Sequence, residues 1–232
     1  MKGIMFDMDN TLLRSRINFK LMRQDLISLL VKHQVGTRHT YAQTRTAAEV
    51  IERGRKLLKD GDQFWLEEEL FKIVRAYEEE GMKGATLEEG ADILVSRLKK
   101  RGAVLAVVTN NSYEPACLAL DQLGILTYFH TVVGREQMEA LKPSPSGLHY
   151  VMRRHPEVKE WVMVGDSWID GEAARQAGVG FVAFQGEREE MQLKGLHPLA
   201  QVHDYSQLGQ WLDEWLNSDV KGERFHVDQR QR

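Results

Sequence analysis

Cysteine is almost absent from this chain. Cys117 is the single one among 232 residues, which excludes an intrachain disulfide framework. It sits in Pro115-Ala116-Cys117-Leu118-Ala119-Leu120, a segment of helical composition in which a small buried thiol is the simpler reading than a reactive one. No apolar run approaches the length of a membrane span, and the opening residues read as a strand rather than a signal peptide, so a cytoplasmic location with no membrane partner is expected. Neither sign of charge is in excess. The 31 Lys and Arg against 34 Asp and Glu leave a formal net charge of -3, which offers no electrostatic reason to expect nucleic acid or an anionic surface as partner. His33, His130, His149 and His155 lack metal-ligand spacing. Internal repeats and low-complexity tracts are lacking too, and no heptad pattern decides between a monomer and a homodimer.

What is present begins at the first residues. The run Gly3-Ile4-Met5-Phe6 ends in Asp7-Met8-Asp9-Asn10-Thr11. A strand alternates its side chains with period two, so Asp7 and Asp9 project to the same side where the strand stops. Such a pair can hold a hard divalent cation, with one member attacking and the other moving protons; equally, it can be two solvated carboxylates in a strand-ending turn. Two later segments have the same form. Ala103-Val104-Leu105-Ala106-Val107-Val108 runs into Thr109-Asn110-Asn111-Ser112, and Trp161-Val162-Met163-Val164 runs into Gly165-Asp166-Ser167. Between them lies Leu141-Lys142-Pro143-Ser144-Pro145, which opens a helix. Runs without polar alternation suggest parallel strands buried on both faces, and ligands of open α/β sheets bind at the carboxyl ends of such strands. Asp7, Asp9, Thr109, Lys142 and Asp166 are therefore expected to converge on one crevice.

In order, spacing and residue type these segments resemble the four motifs of the haloacid dehalogenase-like hydrolase superfamily, in its phosphatase branch. Asp-x-Asp-x-Thr is Asp7-Met8-Asp9-Asn10-Thr11, and the hydrophobic strand ending in Thr is Val107-Val108-Thr109-Asn110-Asn111. The Lys followed by Pro is Lys142-Pro143, and Gly-Asp followed by a second acid is Gly165-Asp166 with Asp170. The resemblance implies an α/β fold, a Rossmann-like parallel sheet flanked by helices, with an inserted all-helical cap. It further implies a phosphomonoesterase that uses Mg²⁺, with Asp7 as nucleophile forming an aspartyl-phosphate and Asp9 as acid and base. Lys142 would act as catalytic and phosphate-binding cation, and Thr109 and Asn110 would bind the phosphate. Asp7, Asp166 and the Asp9 backbone carbonyl would ligate the metal, with Asp170 standing behind them. Asp9 favours an oxygen-linked phosphate, because dehalogenating and phosphonate-cleaving relatives lack it. The implied substrate is a small phosphorylated metabolite, phosphoglycolate-like. A sugar-phosphate mutase resembling β-phosphoglucomutase and a non-catalytic binding protein on the same fold are the alternatives.

The domain limits follow from where strands stop. From Ser15 to Lys83 apolar residues recur at helical spacing, including Met22, Leu26, Leu30, Ala47, Ala48, Ile51, Phe64, Leu66, Leu70 and Val74, with Gly36, Gly61 and Gly81 near the expected breaks. Residues 15–83 are read as the helical cap, 1–14 with 84–217 as the catalytic core, and 218–232 as a flexible polar tail. Thr86-Leu87-Glu88-Glu89 matches a capping box opening a helix. Strands are expected near 103–108, 130–133, 161–165, 179–184 and 199–202, and helices near 113–122, 145–155, 168–177 and from 205 to about 216. Substrate specificity is expected from the cap and its entry, where Arg14, Arg16, Arg38, His39, Arg45, Arg53 and Arg55 supply cations.

Overall fold

The computed structural model describes residues 1–58 and 63–218. By internal contacts the chain forms two compact units: Met1–Arg14 with the chain from Thr86 onward, and Ser15–Ala85. The strands of the first unit are β1 (Lys2–Phe6), β2 (Leu13–Arg14), β3 (Thr86–Leu87), β4 (Val104–Val108), β5 (Thr131–Val133), β6 (Glu160–Gly165), β7 (Gly180–Phe184) and β8 (Ala200–Val202). Six of them form one sheet in the order β5-β4-β1-β6-β7-β8, every pairing parallel. Every residue of β1 and of β4 is buried, as expected of strands covered on both faces.

The helices follow in the same numbering: α1 (Phe19–Lys32), α2 (Ala47–Leu57) and α3 (Gln63–Met82) in the second unit, and α4 (Ala91–Lys100), α5 (Tyr113–Gln122), α6 (Ser146–Arg154), α7 (Trp168–Ala177), α8 (Arg188–Leu193) and α9 (Tyr205–Asn217) in the first. The strands and helices expected from residue 103 onward lie within a residue or so of these limits, whereas β2, β3 and α8 were not expected and α4 starts later than expected. On one face of the sheet Met5, Ala106, Val108 and Met163 pack with Leu148 and Val151 of α6 and Ala173 and Ala174 of α7. Among the described residues no helix is long and apolar enough to cross a membrane.

The second unit has its own apolar interior, in which Met22, Leu26 and Leu30 of α1 meet Val50 and Ile51 of α2 and Leu66, Leu70 and Val74 of α3. Its helix starts are locally specified. Asn18 accepts the Leu21 N–H, and Thr46 and Glu49 form a capping box at α2. Gly81 lies near a helix end as expected, one residue before α3 stops at Met82; a Cβ there would come within 2.6 Å of the Ile17 backbone, and its carbonyl accepts the Arg16 N–H at 2.9 Å. Gly61 and nearly all of the expected tail lie outside the described residues.

Thr86 does not cap a helix. Thr86 and Leu87 instead pair antiparallel with Arg14 and Leu13, and Glu88 N–H donates to Leu12 carbonyl at 2.9 Å. Glu88 is turned to Arg14, which grips its carboxylate through two contacts, 2.9 Å from Nε and 2.8 Å from Nη2. The helix starts at Ala91, after Gly90.

Candidate active site

The register of the sheet brings the three motif strands to one edge. Phe6 of β1 pairs with Val107 of β4 on one side and Val164 of β6 on the other, so the residues that follow these strands emerge together. The ladder continues one step into each loop. Asp7 N–H donates to Val164 carbonyl at 2.9 Å and Thr109 N–H to Val133 carbonyl at 3.0 Å. Both residues are thus held by the sheet itself. The chain order diverges on the two sides of β1, the position at which open α/β sheets form a crevice.

Lys142 is the centre of the polar cluster. It lies before α6 rather than at a solvated helix start, is 1% exposed, and donates from Nζ to Asp7 Oδ1 at 2.6 Å and to Asp170 Oδ1 at 2.7 Å. Burial alone would lower its pKa, but the adjacent Asp170 and Asp7 carboxylates outweigh burial and hold the ammonium above its ordinary value. Asp170 is fixed twice over. Its Oδ2 accepts the Ser167 N–H at 3.1 Å as the return half of the capping box that starts α7, while Oδ1 receives Lys142. This close packing explains Gly165: a Cβ there would stand 2.5 Å from the Asp170 carboxylate.

Carboxylate oxygens of Asp7, Asp166 and Asp170 all lie within 4.8 Å of one another. Burial, then the charges of Asp7 and Asp170, push the Asp166 pKa up to about 8; burial likewise raises that of Asp170, partly offset by Lys142. Three acids around one ammonium leave an excess of negative charge in a sheltered place, which a hard divalent cation with oxygen ligands would offset. The donor set therefore fits such a cation.

The remaining expected residues are close by, in roles that differ in detail. Thr109 is buried, and its Oγ1 accepts the Asn111 N–H at 3.2 Å, which leaves the hydroxyl proton to point elsewhere. The Asn110 side chain brackets the Lys142 backbone, accepting its N–H at 2.8 Å and donating to its carbonyl at 3.0 Å. That amide clamp adds a function which the sequence did not suggest. Asp9 is 8% exposed, and its Oδ2 accepts from Asn111 Nδ2 at 2.6 Å. Asn111 and the buried Arg135, whose Nη1 donates to Asn110 carbonyl at 3.2 Å and whose N–H donates to Asn111 carbonyl at 2.8 Å, were not among the expected site residues. No sequence signal singles out either.

Several of the cations expected at the cap and its entry, none of which the sequence singled out as a substrate contact, have partners within the protein. Arg14 holds Glu88, Arg53 donates to Thr40 carbonyl at 2.7 Å, and Arg55 is paired with Glu67. Trp168 is 7% exposed with the Lys194 ammonium 3.7 Å above its ring, a packing role.

The chain matches the model of the family described as haloacid dehalogenase-like hydrolase over residues 4–184. A phosphoglycolate phosphatase of Rhodospirillum rubrum is 30% identical over 221 residues, which is 91% of this chain and 90% of that protein. Another, of Rhodobacter capsulatus, is 32% identical over 145 residues; the match spans 62% of this chain and 64% of that protein, somewhat under two thirds of its length. The crystal structure of a predicted phosphoglycolate phosphatase from Haemophilus somnus 129PT has the same fold, with a TM-score of 0.62 at 23% identity over 91% of this chain and 98% of that one.

Proposed function

The chain belongs to the haloacid dehalogenase-like hydrolase family, and on that premise we propose that this phosphoric monoester hydrolase acts on phosphoglycolate or a similarly small phosphorylated acid. It works, in this reading, through a phosphoaspartate on Asp7 with Mg²⁺ as its cation. The observation that carries the reading is the Lys142 ammonium held between Asp7 and Asp170 in a buried cluster at the carboxyl edge of the sheet. The names of the relatives support the substrate class.

Phosphoryl transfer needs an attacking oxygen in line with the leaving oxygen, and positive charge beside the equatorial oxygens. Lys142 orients Asp7 and supplies part of that charge. In the first step an Asp7 oxygen forms a bond to phosphorus as the ester P–O bond breaks, and Asp9 gives a proton to the departing alkoxide. In the second, water attacks phosphorus, Asp9 takes its proton, and the bond from Asp7 to phosphorus breaks to release inorganic phosphate. The Thr109 hydroxyl and Asn110 N–H donate to the phosphoryl oxygens. Asp7, Asp166 and the Asp9 carbonyl would hold Mg²⁺, with Asp170 committed to Lys142 and Ser167 behind them. Bound there, the cation would offset the repulsion between a carboxylate and a phosphate dianion. The polypeptide from Ser15 to Ala85 is the cap in this reading, and the rest is the catalytic core.

The test is phosphate release from a panel of small phosphomonoesters including phosphoglycolate, with Mg²⁺ or with chelator, for wild type and Asp7→Asn. Mg²⁺-dependent release, highest for phosphoglycolate and lost in the variant, is expected. Full activity in Asp7→Asn would exclude the phosphoaspartate, and a different preferred ester would replace the substrate.

A further inference from the structure

We propose that Asn111 positions the Asp9 carboxylate for proton transfer to the leaving group, an inference that rests on the phosphatase reading above. The residues are far apart in sequence, yet Asn111 Nδ2 donates to Asp9 Oδ2 at 2.6 Å. At 6% and 8% exposure the bond is sheltered from competing water. The carboxylate of an Asp turns about two side-chain torsions, the second of them broad. A bond to Oδ2 fixes both and so determines where Oδ1 stands.

The amide is itself held from both sides. Asn111 N–H donates to Thr109 Oγ1 at 3.2 Å, and its carbonyl accepts the Arg135 N–H at 2.8 Å. The buried Arg135 guanidinium extends the brace, from Nη1 to Asn110 carbonyl at 3.2 Å and from Nη2 to Ser112 Oγ. On the other partner, the N–H groups of Leu12 and Leu13 both reach Met8 carbonyl at 2.9 Å, closing a tight loop around Asp9. Asn111 is therefore a rigid arm reaching from the end of β4 to the loop after β1. Such second-layer support is how a reacting group is kept within the narrow geometry that catalysis requires.

The chemistry of the amide gives the contact a direction. A side-chain N–H donates and does not accept, so Oδ2 is committed as acceptor and the proton given to the alkoxide leaves from Oδ1. When Oδ1–H is the donor, that O–H bond breaks as the bond from the alkoxide oxygen to the same hydrogen forms, and Asp9 is left as a carboxylate still held by Asn111.

The role is separable from folding by the leaving group. An alkoxide needs a proton to depart, whereas p-nitrophenolate does not. The measurement is kcat/KM of Asn111→Leu and wild type in saturating Mg²⁺ for p-nitrophenyl phosphate, phenyl phosphate and phosphoglycolate, because kcat/KM reports on the phosphoryl transfer step and not on later dephosphorylation. A loss on the order of tenfold to a hundredfold for phosphoglycolate is expected, with little loss for p-nitrophenyl phosphate and a steeper dependence on leaving-group acidity. An equal loss across the series, or none, would overturn the proposal. If Asn111→Leu does not fold, Asn111→Ser, too short to reach Asp9, decides on the same criterion. Wild type inert towards every ester would instead defeat the phosphatase reading itself.

Discussion

The two units of this chain bury charge to different extents: the first gathers several charged and polar side chains into one cluster, whereas the second buries Glu78 within an otherwise apolar interior. In the first, Lys142, Asp170, Thr109 and Asn111 are buried and bonded to one another's neighbourhood, so that charge and hydrogen bonding form part of the interior. In the second, the interior is built from Met22, Leu26, Leu30, Val50, Ile51 and Leu70, and exposed arginines such as Arg38 and Arg53 lie outside it. Fixed dipoles and charges in a dry place stabilise developing charge far better than solvated ones. The contrast supports placing the proposed chemistry in the first unit, and on that proposal substitutions inside the two units should fail in different ways.

The strongest way to break the comparison is Lys142→Met. It leaves Asp7 and Asp170 facing each other without their shared cation. Turnover is expected to fall on the order of 10²–10³-fold, as for loss of a preorganised electrostatic contact. Stability is expected to fall by about 3–5 kcal/mol, as when one partner of a buried ion pair is removed. Turnover assays and thermal melts with and without Mg²⁺ check both, and the melt should recover partly when the divalent cation is present. Wild-type turnover in this variant would remove Lys142 from the mechanism.

Leu26→Ala gives the opposite signature. Leu26 is fully buried in the apolar cluster of the second unit, so its truncation is expected to cost about 2–5 kcal/mol. Phosphate release per folded molecule, measured below the melting range, should stay near wild type with p-nitrophenyl phosphate. A large loss of chemistry there would mean that the two interiors are not functionally separate.

This division also governs what the sequence made legible. β4 and β6 are uninterrupted apolar runs with abrupt polar ends, so their limits, and the approach of Asp7, Thr109 and Asp166 to one edge, could be read from residue order. Thr86 was misread because Thr-x-x-Glu satisfies a capping box locally, while the winning interactions, pairing with Leu13 and Arg14 and the grip of Arg14 on Glu88, come from a distant stretch of chain. Asn110 and Asn111 are adjacent and chemically identical in sequence. Only the folded chain sends one amide to the Lys142 backbone and the other to the Asp9 carboxylate. Likewise the pairing of Arg55 with Glu67 is a matter of how helices pack, which periodicity does not specify.

The finest test of the comparison is titration of the buried cluster. Asp166, pushed up to about 8 by burial and by the charges of Asp7 and Asp170, is expected to hold a proton in the metal-free protein near neutrality. Since the folded-state value lies above that of the unfolded chain, the native state binds the extra proton between the two, and this group's contribution to stability is lost as pH rises towards 8. A divalent cation needs the ionised carboxylate, so its uptake must displace that proton. Calorimetric titration of Mg²⁺ at about pH 7 in two buffers of different ionisation enthalpy should therefore show proton release, and at about pH 9 the buffer dependence should shrink. Apparent affinity should tighten by at most about tenfold per pH unit across this range. Asp166→Asn should abolish the buffer dependence along with most of the binding. Buffer-independent heats for wild type at neutrality would mean that the cluster is already ionised, and that Lys142 alone balances the buried carboxylates of the first unit.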